Sequence, residues 1–149
     1  MSNKIPSPVP SLCDQDKQQI QEWITAAHHS LADASRTNIS VGTRISAALD
    51  VIVFSSVAVC LATGSNTESK LDDTRNVTET AIRAIGHSET EAARLATLYD
   101  WRNRRYDIAE SPDIQDIVGT IDSARIFLEA VSIWLRAQGI EFPWLEPRE

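Results

Sequence analysis

A long apolar segment in the first half of the chain most constrains the fold. Residues 45–63, ISAALDVIVFSSVAVCLAT, contain a single charged residue, Asp50, and are followed by Gly64, a common residue at helix C-termini. A helix that is apolar almost all round is normally buried by its neighbours. The segment approaches the length of a membrane span, but Asp50 near its middle makes insertion costly. We therefore expect the central helix of a helical domain and no membrane contact.

Helical periodicity recurs along the rest of the chain, and no segment alternates with period two. Capping residues support the helix starts, as in Ser88-Glu89-Thr90-Glu91, where serine is followed by glutamate three positions later. These patterns predict an all-α fold, an antiparallel helical bundle of about five helices. The predicted helices cover residues 12–34, 40–63, 72–85, 88–106 and 112–138.

The domain organisation follows from length and composition. The chain has 149 residues, enough for one domain with its own core. Residues 1–11 contain three prolines and three serines and are predicted to form a flexible leader. Residues 12–138 form the single predicted bundle, and residues 139–149 form a C-terminal tail whose Phe142 and Trp144 are expected to pack back on it.

Composition excludes several function classes. Fourteen basic against 21 acidic residues give a net charge of −7, so any nucleic-acid contact must be a local patch. Cys13 and Cys60 are far apart and form no metal-ligand pattern, and we expect neither a metal nor a cofactor. P-loop, GxSxG, GxGxxG and HExxH patterns are absent. The N-terminus has no apolar signal segment, so we expect a cytoplasmic protein.

The densest polar cluster is Tyr99-Asp-Trp-Arg-Asn-Arg-Arg-Tyr106, at the end of the fourth predicted helix. At 100° per residue, Arg102 and Tyr106 share a stripe with Leu95, whereas Arg104 points the opposite way. An arginine on an apolar stripe requires an anion or hydrogen-bond acceptors, and Asp50 is the obvious partner. The cluster is therefore either a buried structural pair or a half-open pocket that binds phosphate.

The fifth predicted helix shows a similar pattern and two apolar faces. Arg125 either converges with Arg102 on one anion or extends to the edge of the bundle. The stripe predicted to face the core consists of Ile114, Ile117, Val118, Ile121, Arg125 and Leu128. The second apolar face consists of Ile126, Ala130, Ile133 and Trp134.

The three histidines have no acid or nucleophile at a spacing that indicates catalysis. His28 and His29 flank the apolar face of the first helix, and His87 precedes the capping box. We expect ordinary surface or turn residues at all three positions, although His87 is placed to reach a phosphate from a helix start.

Three sequence segments together resemble a known family. The central helix with its acid (RISAALDVIVFSSVAVCLATG), the short helix ending in AIGH, and LYDWRNRRYD resemble the HEPN domains of prokaryotes over about residues 38–138. The chain is similar to the branch with an Arg-Asn-x-x-Tyr signature, which Arg102, Asn103 and Tyr106 match.

The resemblance implies a HEPN-like bundle, often dimeric, in which many members are metal-independent ribonucleases with an Arg-x4-6-His motif. Here Asp107, Ile108 and Ala109 occupy the positions of that histidine. The implied function is a homodimer that binds RNA or a nucleotide without clear competence for cleavage, in a toxin–antitoxin or defence system. A nucleotidyltransferase-type antitoxin is the implied protein partner. The expected ligand-binding residues are Arg102, Asn103, Arg105 and Tyr106, with Asp50 and Arg125 in support.

Two alternatives remain at this stage. In one, the polar cluster locks the bundle, and the second apolar face of the fifth helix binds a partner protein. In the other, the chain is an active ribonuclease toxin with a non-standard base. Whether the chain is an enzyme is left open.

Overall fold

The computed structural model describes residues 12–64, 74–95 and 114–142. These residues form five helices and no strand, which confirms the predicted all-α bundle. The predicted leader, and the sequence predictions for residues 65–73, 96–113 and 143–149, lie outside the described part of the chain. The helices are α1 (Asp14–Ala34), α2 (Val41–Ala62), α3 (Thr74–Ile85), α4 (helical over residues 89–95) and α5 (Ile114–Ala137).

Helix α2 is the centre of the bundle, as predicted. It contacts α1, α3 and α5, and most of its residues from Ile45 onwards are buried. Ser40 caps its start, and the Ser40 Oγ accepts a hydrogen bond from the Thr43 backbone N–H at 3.1 Å. The helix is long and apolar enough to cross a membrane, a property that core helices of soluble proteins share. In this protein 67 % of the apolar stretch of the helix is buried inside the bundle.

The connection between α1 and α2 is held by an arginine. The Arg44 Nε donates a hydrogen bond of 2.9 Å to the carbonyl of Ala34, the last residue of α1. This satisfies one of the carbonyls that a helix leaves open at its C-terminus. Further along the two helices, the rings of Trp23 and Phe54 pack at 5.4 Å between centroids. The two helices are therefore joined at the turn and along their length.

At two other helix ends, residues that commonly cap helices also do so in the structure. Gly139 has a φ of +90°, and its N–H donates to the Arg136 carbonyl at 2.9 Å. At the start of α4, Ser88 Oγ accepts from the Glu91 N–H at 3.1 Å, as the capping box predicts. At the start of α1, Cys13 is the N-cap residue, and its side chain makes no cap hydrogen bond.

The tail packs back on the bundle as expected at Phe142. That side chain is fully buried, and the Gln21 Nε2 donates a hydrogen bond of 2.8 Å to the carbonyl of neighbouring Glu141. Trp144 lies outside the described residues. The start of the tail therefore belongs to the core.

The prediction of which face of α5 is buried is wrong in part. Ile117, Ile121 and Leu128 are buried as predicted, but Val118 is 55 % exposed and Arg125 lies on the surface. The helix is rotated by roughly a quarter turn relative to the predicted stripe. The physical reason is that α5 has apolar residues on adjacent faces, and the buried face includes the large Phe127 ring. The buried residues of α5 are Ile117, Thr120, Ile121, Ser123, Ala124, Phe127, Leu128, Val131, Ser132 and Leu135.

This orientation predicts unequal costs for two truncations on α5. Phe127→Ala should lower the free energy of unfolding by about 3–5 kcal/mol, because Phe127 is fully buried. Val118→Ala should change it by less than about 0.5 kcal/mol, because that side chain is mostly exposed. Urea unfolding of both variants tests the orientation, and a large loss in Val118→Ala would contradict it.

Candidate functional site

The polar cluster predicted to bind the ligand lies outside the described residues. This applies to Arg102, Asn103, Arg105 and Tyr106. Leu95, the first member of the stripe that contains Arg102 and Tyr106, is described and is 1 % exposed in the main core. The predicted stripe therefore begins on the core-facing side of α4.

Asp50 is partly buried on α2, between the buried residues Leu49 and Val51. It is the only charged residue of α2 after Arg44. A carboxylate is costly to remove from water. An acid on this apolar helix is therefore expected to have polar or charged neighbours.

Arg125 lies at the surface of α5. Its guanidinium forms an ion pair of 2.8 Å with Asp122 one turn earlier, and both side chains are about half exposed, at 46 % and 48 %. An arginine in this setting does not need a buried anion. Of the two predicted roles for Arg125, the position at the bundle edge matches what the structure shows.

A groove that the sequence did not predict runs between α1 and α5. We call it the α1–α5 groove, and its volume is about 350 Å³. Its apolar lining consists of Leu31, Leu128 and Ile133. Its polar lining consists of His28, Arg125, Glu129, Ser132 and Arg136.

Burial and nearby positive charges in this groove change the pKa of His28. Burial lowers the pKa of the His28 imidazole below its ordinary value of 6.5, and the positive charges of Arg136 and then His29 lower the pKa further. The imidazole is therefore neutral at pH 7 and exposed to the field of Arg136. The Arg136 guanidinium also lies 5.9 Å from the centroid of the Phe142 ring, which ties it to the start of the tail.

Ser132 lines the same groove, but its hydroxyl is buried. Its side chain is 6 % exposed, and its Oγ is buried without a hydrogen-bond partner. Leaving a buried polar group unpaired costs about 1–3 kcal/mol, and such groups in native proteins call for an explanation. The Ser132 Oγ is shielded from the open groove, so its missing bond is a feature of how α5 packs.

A second polar group lies where α3 meets α4. The His87 Nε2 and the Glu91 Oε1 are both buried without hydrogen-bond partners, and the other Glu91 oxygen pairs with Arg94 at 3.1 Å. The His87 ring packs edge-on against Phe127 at 5.3 Å between centroids. Burial lowers the His87 pKa, and the Glu91 charge raises it in part. His87 is a turn residue, as expected, but it is also part of the packing.

Sequence reasoning did not select His28, Ser132 or Arg136 as site residues. A signal existed on α5, where Arg125, Glu129, Ser132 and Arg136 recur at intervals of four, three and four and so share one helix face. No comparable signal pairs His28 with α5, because about one hundred positions separate them along the chain. His29, by contrast, is exposed as expected.

Comparison of the chain with family models, with curated proteins and with solved structures found no match. Within the described ranges there is also no group of histidine, cysteine and acidic side chains that could hold a metal ion.

The two partly buried histidines predict how stability depends on pH. Both His28 and His87 have a lowered pKa in the folded protein. Between about pH 7.5 and pH 5 the unfolded chain therefore binds protons that the folded chain does not, and stability falls as the pH falls. Urea unfolding across this window should show the loss.

The double variant His28→Gln/His87→Gln should flatten that pH dependence. His29→Gln is the matched control and should leave it nearly unchanged, since His29 is exposed and is the smallest of the three causes of the lowered His28 pKa. Equal slopes in the wild type and the double variant would contradict the assignment of the protons to these two residues.

Proposed function

We propose that this protein is a HEPN-like helical bundle that binds RNA or a nucleotide through Arg102, Asn103, Arg105 and Tyr106 without cleaving it. The observation that carries the proposal is the Arg-Asn-x-x-Tyr signature, which follows a helix that the fold anchors in its core. The all-helical bundle with an acid on its central helix is the architecture that the resemblance implies.

The anchoring of α4 supports the proposed orientation of the motif. Leu95 is buried in the core, and Arg102 and Tyr106 follow it by seven and eleven residues. In a continuing helix these intervals return to the same side. Arg102 then faces the bundle or a partner, where its fork of donors suits a phosphate group.

Each residue of the motif has a separate proposed role. Arg102 binds phosphate, Tyr106 stacks on a base or donates a hydrogen bond, and Asn103 orients the ligand. Arg105 adds positive charge at the flank, and Asp50 holds Arg102 in its rotamer. The net charge of −7 requires that binding be confined to such a local patch.

The absence of cleavage follows from the sequence after the motif. Asp107, Ile108 and Ala109 occupy the positions at which HEPN ribonucleases carry their histidine. None of these positions holds a histidine, and isoleucine and alanine carry no group that could take up a proton. We further propose that the protein is a homodimer in the cytoplasm. Its protein partner is a nucleotidyltransferase-type antitoxin, and the two belong to a toxin–antitoxin or defence system.

A titration of labelled single-stranded RNA, followed by fluorescence anisotropy, tests the proposed function. Wild type should bind with an affinity that falls as salt is raised, because phosphate contacts release counterions. Arg102→Ala/Tyr106→Ala should bind at least about tenfold more weakly, a difference of about 1.4 kcal/mol. Arg104→Ala is the control, because that position points away from the stripe.

The same mixtures should be run on a denaturing gel. Intact RNA together with binding that the double variant loses would support a non-cleaving binder. Cleavage by wild type would overturn the non-cleaving assignment and favour the ribonuclease toxin. A folded wild type that binds no RNA and no nucleotide would refute the proposal.

The proposed support of Arg102 by Asp50 predicts coupling between the two residues. In a double-mutant cycle with Asp50→Asn and Arg102→Gln, the unfolding free energies should be non-additive, by about 0.5–3 kcal/mol. Asp50→Asn with Arg104→Gln is the control cycle and should be additive. Additivity in both cycles would show that Asp50 does not position Arg102.

A second candidate function is a protein-interaction module, which the surface of α5 favours. Ile133 is 66 % exposed and Ile126 is 36 % exposed, and their spacing of seven residues places them on one line along the helix. Ala130 and Trp134 beside them are partly buried. Exposed apolar side chains that share one helix face can pack against another protein. This candidate predicts a well-folded protein without RNA affinity.

A further inference from the structure

The large apolar side chains that are exposed in the described part of the chain all lie on α5. Val118 is 55 % exposed, Ile126 is 36 % exposed and Ile133 is 66 % exposed. At 100° per residue, the three side chains point within an arc of about 80°. They form one line on the outer surface of the helix, which we call the α5 line. Single exposed apolar residues are ordinary, but three that share a face indicate a contact surface.

The α5 line is nearly symmetric about its middle residue. Val118 precedes Ile126 by eight residues, and Ile133 follows it by seven. With a rise of about 1.5 Å per residue, the two outer residues lie about 12 Å and about 10.5 Å from Ile126 along the helix axis. A second α5 that runs antiparallel, across a two-fold axis at Ile126, therefore places its Ile133 opposite Val118 and its Ile126 opposite Ile126. The line is complementary to itself, as a two-fold interface requires.

The charged residues beside the α5 line have no net charge. Two acids and two bases lie along this face of the helix, namely Asp122, Arg125, Glu129 and Arg136. The whole chain has a net charge of −7, so two copies repel each other on average. A face whose charges sum to zero lets two copies approach without that repulsion. The charge distribution therefore favours this face for contact with a second copy.

Antiparallel pairing also places opposite charges near each other at the edge of the line. In the register centred on Ile126, Arg125 of one copy lies about 3 Å along the axis from Glu129 of the other. Two-fold symmetry gives this pair twice. Arg125 keeps its ion pair with Asp122 within its own chain, so the contact adds a second acid to an existing pair. A parallel arrangement would instead place each charged residue level with the same residue of the other copy.

We propose that two copies of this chain pair through the α5 line, with their α5 helices antiparallel and Ile126 on the two-fold axis. The proposal deepens the proposed function, because it names the surface of the homodimer, and it rests on that part of the proposed function. None of the four residues proposed to bind RNA belongs to this surface. The dimer contact and the RNA site can therefore be tested separately.

The surroundings of Val118 have space for the opposing side chain. Gly119 is exposed, and a β-carbon at that position would have no contact within 4 Å outside its own stretch of helix. Ile133 of the second copy therefore packs against Val118 and over Gly119. Because Val118 and Ile133 are the most exposed members of the line, their mutual contact removes the most apolar surface from water.

Analytical ultracentrifugation of the full chain tests the pairing. Wild type should sediment as a dimer that dissociates on dilution. Ile126→Glu and Ile133→Glu should each weaken the dimer by at least about tenfold, because each places a carboxylate in an apolar contact. Ala84→Glu is the matched control, since it adds the same charge at an exposed position of α3 and should leave the dimer unchanged.

The outcomes separate this proposal from the proposed function. A dimer that both α5 variants leave intact would overturn the α5 interface and leave the homodimer standing. A wild type that stays monomeric at its highest soluble concentration would overturn the interface and the homodimer together, whatever the RNA titration shows. The α5 line would then be a surface for a different protein.

Disulfide cross-linking tests the antiparallel register in a Cys13→Ser background, because the Cys13 thiol is exposed. Ile126→Cys should form a disulfide-linked dimer under mild oxidation, since the residue lies on the two-fold axis. Val118→Cys should not, because its two copies are about 24 Å apart along the axis and a disulfide requires Cα atoms within about 7 Å.

A mixture of Val118→Cys and Ile133→Cys should cross-link, since these two residues face each other between the copies. Ala84→Cys measures the cross-linking that random collisions give. Self-linking of Val118→Cys above that level would indicate parallel helices and overturn the proposal.

A charge exchange tests the contact between Arg125 and Glu129. Arg125→Glu and Glu129→Arg should each weaken the dimer by about threefold, because each sets like charges against each other between copies. The double variant Arg125→Glu/Glu129→Arg restores opposite charges and should return the dissociation constant to that of wild type. A double variant as weak as the single variants would overturn the proposed register.

Discussion

Burial of α2 is the requirement on which the rest of the structure depends. A helix that is apolar on every side has no face for water, so α1, α3 and α5 must each supply an apolar face to cover it. The polar residues within α2 are compatible with this burial. Ser55 and Ser56 are fully buried, and their hydroxyls donate to the carbonyls of Val51 and Ile52 at 2.7 Å. They therefore leave no unpaired group in the core.

The helix ends were predictable, because short-range chemistry decides them. Ser40 and Ser88 accept hydrogen bonds from backbone N–H groups three residues later, and Gly139 adopts a positive φ that other residues avoid. Each of these features is local in sequence. The face of α5 was not predictable in the same way, because Val118 and Phe127 lie on different sides of a helix with apolar residues on both. Periodicity cannot choose between two apolar faces, and the choice depends on how the larger ring packs.

The two candidate sites differ in how much the sequence reveals of them. The motif around Arg102 is contiguous, so a single pass along the chain finds it, and it stays a prediction because residues 96–113 lie outside the described part. The α1–α5 groove brings His28 beside Arg136, and this proximity exists only after folding. The lowered pKa of His28 likewise results from burial and from a charge on another helix. No local sequence pattern predicts either the proximity of His28 to Arg136 or the lowered pKa of His28.

The buried serines of this bundle also bear on the groove. Ser55 and Ser56 show that a helical serine can satisfy its hydroxyl on the carbonyl one turn earlier. Ser132 is on a helix of the same kind, with the carbonyl of Leu128 one turn earlier, yet its hydroxyl makes no such bond. An unpaired buried hydroxyl costs about 1–3 kcal/mol, a cost that a bond to the carbonyl one turn earlier avoids. Ser132 therefore differs from Ser55 and Ser56 in how its hydroxyl is satisfied, although all three serines are buried on helices of the same bundle.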